Sequence, residues 1–384
     1  MGAPDVAVLG GGIIGCSAAA LLAERGASVV LVEATAIGAG ASGRNMGAIQ
    51  HPFDALLAPA YRDSLIRYRA LAAEDESFSM PEHPAGVLMI NGDPAAAQSQ
   101  VDRLGALQPD VGATFLDARE VAAAEPSLLR GFAACLLAAT GYPIPPASAT
   151  AAWARLAGRR GARMQIGTAG EPWIEDGRAR GVRLADGGRI AADVVLIASG
   201  PWAPAHVDPT GRWQPITRTW GVTVELQLGG SAPRHIVEQD AVDAVNRPAI
   251  AAAEARAVPR DADPPSLFTV ASAGGVSTLG STFLPAQPDR QRVAKLLLER
   301  GARYLPAIAR ADVSEIRLCA RPQSVDGRPF IGPVEAVDGL FMCAGHGPWG
   351  ISTGPGSAAL VVAAILDGAA VPAELQASRS LRGP

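Results

Sequence analysis

The sequence is poor in cysteine and has no long apolar segment. Its four cysteines form no C-x-x-C pair, and this spacing argues against a zinc site or a disulfide framework, so we expect no bound metal. They are Cys16, Cys135, Cys319 and Cys343. No apolar run approaches the roughly 18 residues that a transmembrane helix needs. Residues 1–4 lack the basic segment that opens a signal peptide, so we expect a cytoplasmic protein without a membrane span.

Basic residues are not in excess either. The chain has 33 Lys and Arg against 37 Asp and Glu, and its formal net charge is -4. Domains that bind nucleic acid usually carry a basic patch or stripe, so we expect no nucleic-acid partner. With 384 residues, 48% of them hydrophobic, the chain is long enough for about two domains with buried cores. Nothing in the sequence indicates the oligomeric state.

The most informative stretch that is present runs from Asp5 to Glu33. It contains an apolar strand, three glycines in the G-x-G-x-x-G spacing, an Ala- and Leu-rich helix, and a second strand that ends in an acid. In order these are Val6 to Leu9, then Gly10, Gly12 and Gly15, then Ile14 to Arg25, and finally Ser28 to Val32 with Glu33. The glycines permit a tight turn, close approach of a pyrophosphate and packing of the helix on the sheet. The helix N-terminus favours phosphate, and Glu33 is placed to hold ribose hydroxyls. The stretch predicts a βαβ unit that binds FAD or NAD.

The rest of the chain predicts two kinds of sheet. Short strands between Met164 and Ala191 are separated by Asp-Gly pairs, which are typical of hairpin turns. Asp193 to Ala198 is a further buried strand that we expect to rejoin the first sheet. Between Trp213 and Arg317, alternating segments such as Trp220 to Leu228 predict an antiparallel sheet. An amphipathic helix follows Asp289 and is expected to end at Gly301.

Two other segments carry expectations of their own. Ala36 to Asp54 is too rich in glycine for a regular element, and we interpret it as a loop forming a second wall of the cofactor cleft. Ser357 to Leu366 is predicted to be the last helix, and the tail beyond Pro372 is predicted to be frayed.

Several separated motifs carry a family resemblance. They are GGGIIG with Glu33, GASGRN at Gly40 to Asn45, DVVLIASGPW at Asp193 to Trp202, RPQSVDGRPFIGP at Arg321 to Pro333, and LFMCAGHGPWGISTGPG at Leu340 to Gly356. In these motifs and their order the sequence resembles the D-amino-acid-oxidase-like family of FAD enzymes, which holds glycine oxidase, sarcosine oxidase and D-amino-acid dehydrogenases. The resemblance implies an α/β fold. A discontinuous Rossmann-type FAD-binding domain (1–80, 140–215 and 319–384) would hold an inserted antiparallel-sheet substrate-binding domain (81–139 and 216–318).

The resemblance also implies FAD rather than NAD and assigns residues to it. These are Gly10, Gly12, Ile13, Ile14, Gly15, Glu33, Ala34, Ser42, Gly43, Arg44, Asn45, Ser199, Gly200, Trp202, Arg321, Gly345, His346, Gly347, Gly350, Ile351, Ser352 and Thr353. Cys319 stands where the sarcosine-oxidase branch tethers its flavin. A non-covalent cofactor is expected, and a covalent link at Cys319 is left open, since buried cysteines are usually inert.

The expected catalytic residues are Arg321, His51, His346 and Trp349. In relatives that oxidise amino acids, an arginine five residues before the Asp-Gly of this motif grips the substrate carboxylate, and Arg321 holds that position. A guanidinium can bind a carboxylate bidentately. Trp349 lies in the loop where the sarcosine-oxidase branch has a lysine that helps dioxygen react, which favours a dehydrogenase, although Trp349 could instead wall the pocket. Tyr142, Trp220 and Arg218 are further pocket candidates.

The predicted activity is oxidation of the C–N bond of an amino acid or related amine by hydride transfer to FAD, giving an imine that hydrolyses. His346 and His51 are not required as bases for this chemistry. His346 is expected to shape the flavin loop, and His51 either lines the site or caps a turn. The substrate is expected to carry a carboxylate, and the electron acceptor is unknown. Two alternatives stay open: oxidation of a 2-hydroxy acid or a specialised pathway amine, and a flavin-holding subunit of a heteromeric dehydrogenase.

Overall fold

The computed structural model describes residues 5–239 and 266–379. Its strands are β1 Val6–Leu9, β2 Val29–Glu33, β3 Ala48–Ile49, β4 Val87–Asn91, β5 Ala113–Leu116, β6 Ala133–Leu137, β7 Tyr142–Pro143, β8 Arg163–Ile166, β9 Gly170–Glu175, β10 Arg178–Leu184, β11 Arg189–Ala191, β12 Val194–Ile197, β13 Ile216–Gln227, β14 Ile236–Gln239, β15 Ser266–Ala273, β16 Val276–Thr282, β17 Asp312–Ser324, β18 Phe330–Pro333 and β19 Leu340–Ala344. Its helices are α1 Ile13–Glu24, α2 Ala41–Arg44, α3 Ala58–Glu74, α4 Pro94–Leu107, α5 Ala118–Ala124, α6 Pro146–Arg159, α7 Ala203–Val207, α8 Arg290–Gly301 and α9 Gly350–Asp367.

The first sheet contains the predicted βαβ unit. Its six strands lie in the order β18-β19-β12-β1-β2-β8, and all neighbours are parallel except β18 and β19. Val6 in β1 pairs with Val29 in β2 and with Val194 in β12, so the chain does rejoin this sheet after the meander. The meander is the antiparallel sheet β9 to β11, joined at its first turn by Asp176 and Gly177, both at positive φ. The fold class expected from the sequence is confirmed.

The second sheet has eight strands in the order β17-β13-β16-β15-β14-β4-β6-β5. Its neighbours are antiparallel apart from β14 and β4, which are parallel. Helix α8 covers one face, where Val222, Leu279 and Leu297 belong to one buried cluster. Asp289 caps this helix as predicted, accepting from the N–H groups of Gln291 and Arg292. The strands of this second sheet come from residues 87–137 and 216–324. The boundaries given above for the two domains stay a prediction.

The glycine-rich segment 36–54 is more regular than we expected. It forms helix α2 and strand β3, and β3 pairs with β7. The Asn45 side chain stabilises the end of α2 by donating to the carbonyls of Ala41 and Ser42 at 2.9 and 2.8 Å. A side chain that caps its own backbone in this way can hold a short helix that glycine content alone disfavours.

The last helix begins at Gly350, seven residues earlier than the predicted start at Ser357. Pro355 lies inside it, and a proline there leaves the carbonyl of Ile351 without its helical N–H donor. The hydroxyl of Tyr68 on α3 donates to this carbonyl at 2.8 Å, so the helix continues through the proline. The tail was also predicted wrongly as far as it is described: Gln376 bridges to Ile331, and Arg379 pairs with Asp326 at 2.8 Å. Residues 380–384 of that tail lie outside the described residues.

One helical segment among the described residues, Gly347–Asp367, is long and apolar enough to cross a membrane. Its most apolar window is 67% buried inside the fold, where α9 packs on α1 and α3. A core helix passes the same test of length and composition, so the segment is weak evidence for a membrane span. The expectation of a cytoplasmic protein stays a prediction.

Candidate active site

A cavity of about 870 Å³ lies between the carboxyl ends of the first sheet and one face of the second. Its size is within the roughly 300–1,000 Å³ of small-molecule and cofactor sites. The first sheet contributes the loops after β1, β2, β8, β12 and β19, because parallel strands end at the same edge. The second sheet contributes Cys319, Arg321 and Pro322 of β17.

The loop between β1 and α1 forms one wall. Gly10 has a φ of 114°, a conformation that favours glycine. A Cβ at Gly15 would lie 1.9 Å from the Gly10 carbonyl oxygen, so the helix reaches the loop only because residue 15 has no side chain. The Ile13 N–H at the start of α1 donates to Ser42 Oγ at 2.9 Å. This contact joins α1 to α2 beside the cavity.

Glu33 at the end of β2 forms the wall next to this loop. Its Oε2 accepts the Gly11 N–H at 2.7 Å, and its Oε1 accepts the Thr35 N–H at 2.8 Å. The Thr35 hydroxyl also donates to Oε1 at 3.0 Å. A carboxylate has about four acceptor positions, so about one remains, on Oε2, for a ribose hydroxyl. The carbonyl of Glu33 also accepts from the N–H groups of Gly167 and Thr168, which brings the end of β8 alongside.

The segment after β12 closes another side of the cavity. The hydroxyl of Ser199 lies 2.9 Å from Nδ1 of His206, and both residues line the cavity. Desolvation by burial lowers the pKa of His206. Trp202 is 45% exposed at the rim, and the guanidinium of Arg218 lies 5.7 Å from its ring centroid. Arg218 therefore reaches the rim through Trp202, while Arg218 itself is not a lining residue.

Strand β17 carries the cationic part of the site. Arg321 is 9% exposed, and its Nη1 donates to the Thr282 carbonyl at 2.7 Å while its Nη2 donates to Ser281 Oγ at 2.5 Å. Within residues 5–239 and 266–379 no acidic side chain pairs with Arg321. Desolvation by burial lowers the pKa of Arg321. A buried guanidinium without a counter-charge is suited to bind an anion.

His346 at the end of β19 is the most buried titratable group that lines the cavity, at 1% exposed. Neither ring nitrogen has a hydrogen-bond partner in the part of the chain that the structure describes. Desolvation by burial lowers the pKa of His346 to about 3. The imidazole is therefore neutral at ordinary pH, with one donor and one acceptor free for a ligand.

The structure brings together most of the residues that the resemblance assigns to FAD. Those that line the cavity are Gly10, Gly12, Ile13, Ile14, Glu33, Ala34, Ser42, Arg44, Asn45, Ser199, Gly200, Trp202, Arg321, His346, Gly347, Gly350 and Ile351. Gly15, Gly43, Gly345, Ser352 and Thr353 lie behind this wall. The hydroxyl of Thr353, for example, donates to the Trp349 carbonyl at 2.9 Å inside its own helix. Their direct contact with a cofactor stays a prediction.

His51 and Trp349 lie in a buried layer and are not lining residues. Trp349 packs edge-on against Phe53, with ring centroids 5.3 Å apart. His51 packs edge-on against Tyr61, and its Nδ1 lies 2.8 Å from the Pro52 carbonyl oxygen. Tyr142 and Trp220 also lie outside the lining. Catalytic roles for His51 and Trp349 stay predictions that this geometry does not support.

Sequence reasoning missed Thr35, Ala169, Gly170 and His206, which all line the cavity. Ala169 and Gly170 follow β8, which was predicted as a strand but not as the parallel neighbour of β2. Had that pairing been recognised, the rule that ligands bind at the carboxyl ends of parallel strands would have indicated them. His206 lies seven residues after Ser199 and no local motif marks it.

The fold and the site together define a dinucleotide-binding α/β protein with a second, largely antiparallel sheet over the cofactor cleft. The family model described as "FAD dependent oxidoreductase" (DAO) matches residues 5–364. The chain belongs to this DAO family of FAD-dependent oxidoreductases.

Individual relatives agree with this membership. The chain is 29% identical to the glycine oxidase of Pseudomonas aeruginosa, over 93% of each protein. It is 26% identical over 95% of its length to the tRNA 5-methylaminomethyl-2-thiouridine biosynthesis bifunctional protein MnmC of Chromohalobacter salexigens, and it spans 54% of that protein. The structure of glycine oxidase from Bacillus cereus superposes with a TM-score of 0.82 at 24% identity, covering 99% of this chain and 100% of that one. This last likeness shows the fold.

The residues at the cavity fit FAD. Arg44 and Arg321 against Glu33 give the lining an excess of positive charge, which suits a pyrophosphate. Gly10 and Gly12 let a ligand approach the backbone at the N-terminus of α1. The unpartnered nitrogens of His346 need a ligand atom or water to satisfy them.

Proposed function

We propose that this chain oxidises the C–N bond of an amino acid or related amine whose carboxylate binds Arg321. The observation that carries the proposal is the buried guanidinium of Arg321 on the wall of the cavity, which pairs with no acidic side chain among the residues that the structure describes. Membership of the FAD-dependent oxidoreductase family supports it. So do the glycine oxidase relatives, which are named for an amino-acid substrate.

Each residue has a limited task in this reaction. When bound, FAD would supply the acceptor for a hydride from the carbon that bears the amine, and water would hydrolyse the resulting imine to a carbonyl compound and ammonia or an amine. Arg321 fixes the carboxylate, and therefore the position of the adjacent carbon, by bidentate hydrogen bonds. Neutral His346 offers a hydrogen bond without adding charge.

We also propose that the cofactor is held without a covalent bond. Cys319 lines the cavity, as a tether would require, but burial raises the pKa of its thiol. A thiolate is the reactive form, so burial disfavours attachment. A dehydrogenase is favoured over an oxidase on a separate ground. Lys295 is the only lysine of the chain, and it lies 80% exposed on α8, paired with Glu299, so no lysine can help dioxygen react at the cavity.

The experiment is anaerobic reduction of the purified flavoprotein by glycine, sarcosine, D- and L-amino acids, proline derivatives and 2-hydroxy acids. We expect one amine class to bleach the flavin, slow recovery in air, and release of the flavin on acid precipitation. Arg321→Met should raise KM by about 100-fold with a smaller change in kcat, because it removes charge-assisted hydrogen bonds. Arg292→Met, at an exposed arginine of α8, is the matched control.

An unchanged KM in Arg321→Met would remove the carboxylate role of this residue. If only the 2-hydroxy acids bleach the flavin, the proposed amine oxidation is wrong and the reaction is oxidation of an alcohol. If no compound bleaches a fully flavinated protein, the simple-substrate proposal fails, and a specialised amine or a missing partner subunit takes its place.

A further inference from the structure

The guanidinium of Arg321 is held by a set of residues from the two neighbouring segments of the sheet. We call this set the Arg321 socket: Gly221 of β13, Ser281 and Thr282 of β16, and Phe283 directly after β16. Arg321 pairs in register with Thr219 on β13, and its long side chain reaches across that strand to β16. Arg321 and its socket together thus span three adjacent strands of the eight-stranded sheet.

Gly221 makes the room for the guanidinium. A Cβ at this position would lie 2.3 Å from Nη1 of Arg321 and 2.7 Å from Cζ and from Nη2. All three clashing atoms are at the end of the arginine side chain, and none belongs to the backbone. An alanine at residue 221 would therefore displace the guanidinium while the strand pairing stays possible. Gly221 faces Cys319 in the strand register, so this gap opens on the cavity side of β17.

Ser281 and Thr282 fix the direction of the guanidinium. The hydroxyl of Ser281 and the carbonyl of Thr282 take one N–H each from Nη2 and Nη1. A guanidinium has five N–H donors. The other donors of Arg321 have no hydrogen-bond partner among residues 5–239 and 266–379 and remain for a ligand in the cavity. Both socket acceptors are neutral, so they orient the cation without cancelling its charge.

Phe283 fixes the plane of the guanidinium. Cζ of Arg321 lies 4.4 Å from the ring centroid of Phe283, within the distance of a cation–π contact. An aromatic ring within cation–π distance and two hydrogen-bond acceptors leave few orientations to the guanidinium. Because a bidentate contact with a carboxylate requires the fork of the guanidinium to point at both oxygens, loss of orientation weakens it more than loss of position.

We propose that Gly221, Ser281 and Phe283 are positioning residues that set the selectivity of the site for carboxylates over neutral analogues. The proposal rests on the proposed function of Arg321 as the carboxylate-binding group. It adds that the selectivity is built into β13 and β16, through neutral contacts that hold the cation ready before a ligand arrives. Pre-orientation lowers the entropic cost of binding, and that gain is lost when the socket is altered.

The test uses acetate and acetamide as probes, with binding followed by the change in flavin absorbance of the holoprotein. Ser281→Ala removes a hydrogen bond to the guanidinium, Gly221→Ala displaces the guanidinium, and Phe283→Leu removes the cation–π contact. Each variant should weaken acetate binding by about ten-fold, with little effect on acetamide. With the substrate found by the reduction panel, KM should rise while kcat changes less. Ser281→Thr should bind acetate as the wild type does, unlike Ser281→Ala, because threonine keeps the hydroxyl.

Ser277→Ala is the matched control. Ser277 is a buried hydroxyl on the same strand, bonded to Ser272 and not to Arg321. The control should leave acetate affinity and flavin content unchanged. Because three socket variants are tested, the proposal can still be judged if one of them fails to fold.

The outcomes separate this inference from the proposed function. If Arg321→Met abolishes acetate binding while the three socket variants bind like the wild type, the socket proposal is wrong and the carboxylate role of Arg321 stands. If the wild type does not distinguish acetate from acetamide, both are wrong. If every socket variant loses its flavin, the socket serves the fold, and the selectivity proposal is overturned.

Discussion

At the scale of single residues, His346 is a titratable group that is almost completely removed from water. It is 1% exposed, and neither ring nitrogen has a partner among the described residues. Burial disfavours the charged imidazolium, so the pKa of His346 falls from 6.5 to about 3. A histidine of this kind serves as a neutral hydrogen-bonding group, and it cannot act as a cationic partner for a substrate carboxylate at neutral pH.

This pKa predicts how stability depends on pH. Between pH 6.5 and about 3 the unfolded chain protonates residue 346 while the folded chain does not. The unfolded state then binds more protons, so the free energy of unfolding falls as the pH is lowered below 6.5, by up to about 1.4 kcal/mol per pH unit from this residue. Urea unfolding of His346→Gln from pH 7 to 5 should show a shallower loss of stability than the wild type.

His83→Gln is the control for the pH series, because His83 is exposed. It should leave the slope of unfolding free energy against pH unchanged. Equal slopes for the wild type and His346→Gln would mean that the imidazole is charged or solvated in the folded protein, contrary to its burial.

At the scale of elements, Asp75 joins helix α3 to helix α6. It follows the last residue of α3, and its N–H donates to the Leu71 carbonyl. Its carboxylate is 3% exposed and accepts from Arg155 at 2.9 and 3.0 Å and from Arg159 at 3.2 Å. The hydrogen bonds from Arg155 are the largest cause that holds the pKa of Asp75 well below its usual range. One buried carboxylate therefore ties the end of one helix to the side of another.

We expect Asp75→Asn to lower the free energy of unfolding by about 2 kcal/mol, since it replaces charge-assisted hydrogen bonds by weaker ones. The loss is limited because Arg155 and Arg159 are 44% and 46% exposed and can return to water. Equilibrium urea unfolding at pH 7 measures it. Asp63→Asn removes a more exposed partner, that of Arg67, and should cost less than about 0.5 kcal/mol. Equal losses of unfolding free energy in the two variants would contradict the view that burial increases the contribution of Asp75 to stability.

The elements that the sequence predicted are those whose signal is local. The βαβ unit, the Asp-Gly hairpins and the capped helix α8 follow from periodicity and turn residues. Strand β17 was missed because its sequence, DVSEIRLCARPQS, does not alternate cleanly: polar Arg317 and Arg321 are buried on one of its faces. The helical start at Gly350 depends on the hydroxyl of Tyr68 in α3. Tyr68 lies 283 residues before Ile351, whose carbonyl accepts from it.

The candidate site divides in the same way. Residues at strand ends, such as Gly10 and Glu33, could be predicted because the motif and the position relative to the strand coincide. Ser281 and Phe283 could not, because their role appears only when β16 lies two strands away from β17. A sequence shows which residues carry charge, and only the fold shows which neutral groups orient that charge.

At the scale of the whole molecule, the cavity is the place where the two sheets meet. Its lining combines the carboxyl ends of the six-stranded sheet with Cys319 and Arg321 of the eight-stranded sheet. A cofactor that contacts both sides binds only the state in which both are folded and docked. Such a ligand stabilises that state by RT ln(1 + L/Kd), where L is its free concentration and Kd its dissociation constant.

We therefore expect removal of FAD to loosen both sheets, not only the nucleotide-binding one. Cys343 in β19 and Cys135 in β6 are buried cysteines, one in each sheet. Their reaction with a thiol reagent under native conditions reports local opening of their own sheet. Labelling read out by peptide mass spectrometry should speed up at both cysteines in the apoprotein and return to the slow rate when FAD is added back. Free riboflavin, which lacks the pyrophosphate, is the control and should restore neither rate.

Faster labelling at Cys343 with an unchanged rate at Cys135 would show that the cofactor stabilises the six-stranded sheet alone. The second sheet would then owe its stability to its own core beneath α8, and closure of the cavity would not depend on the cofactor.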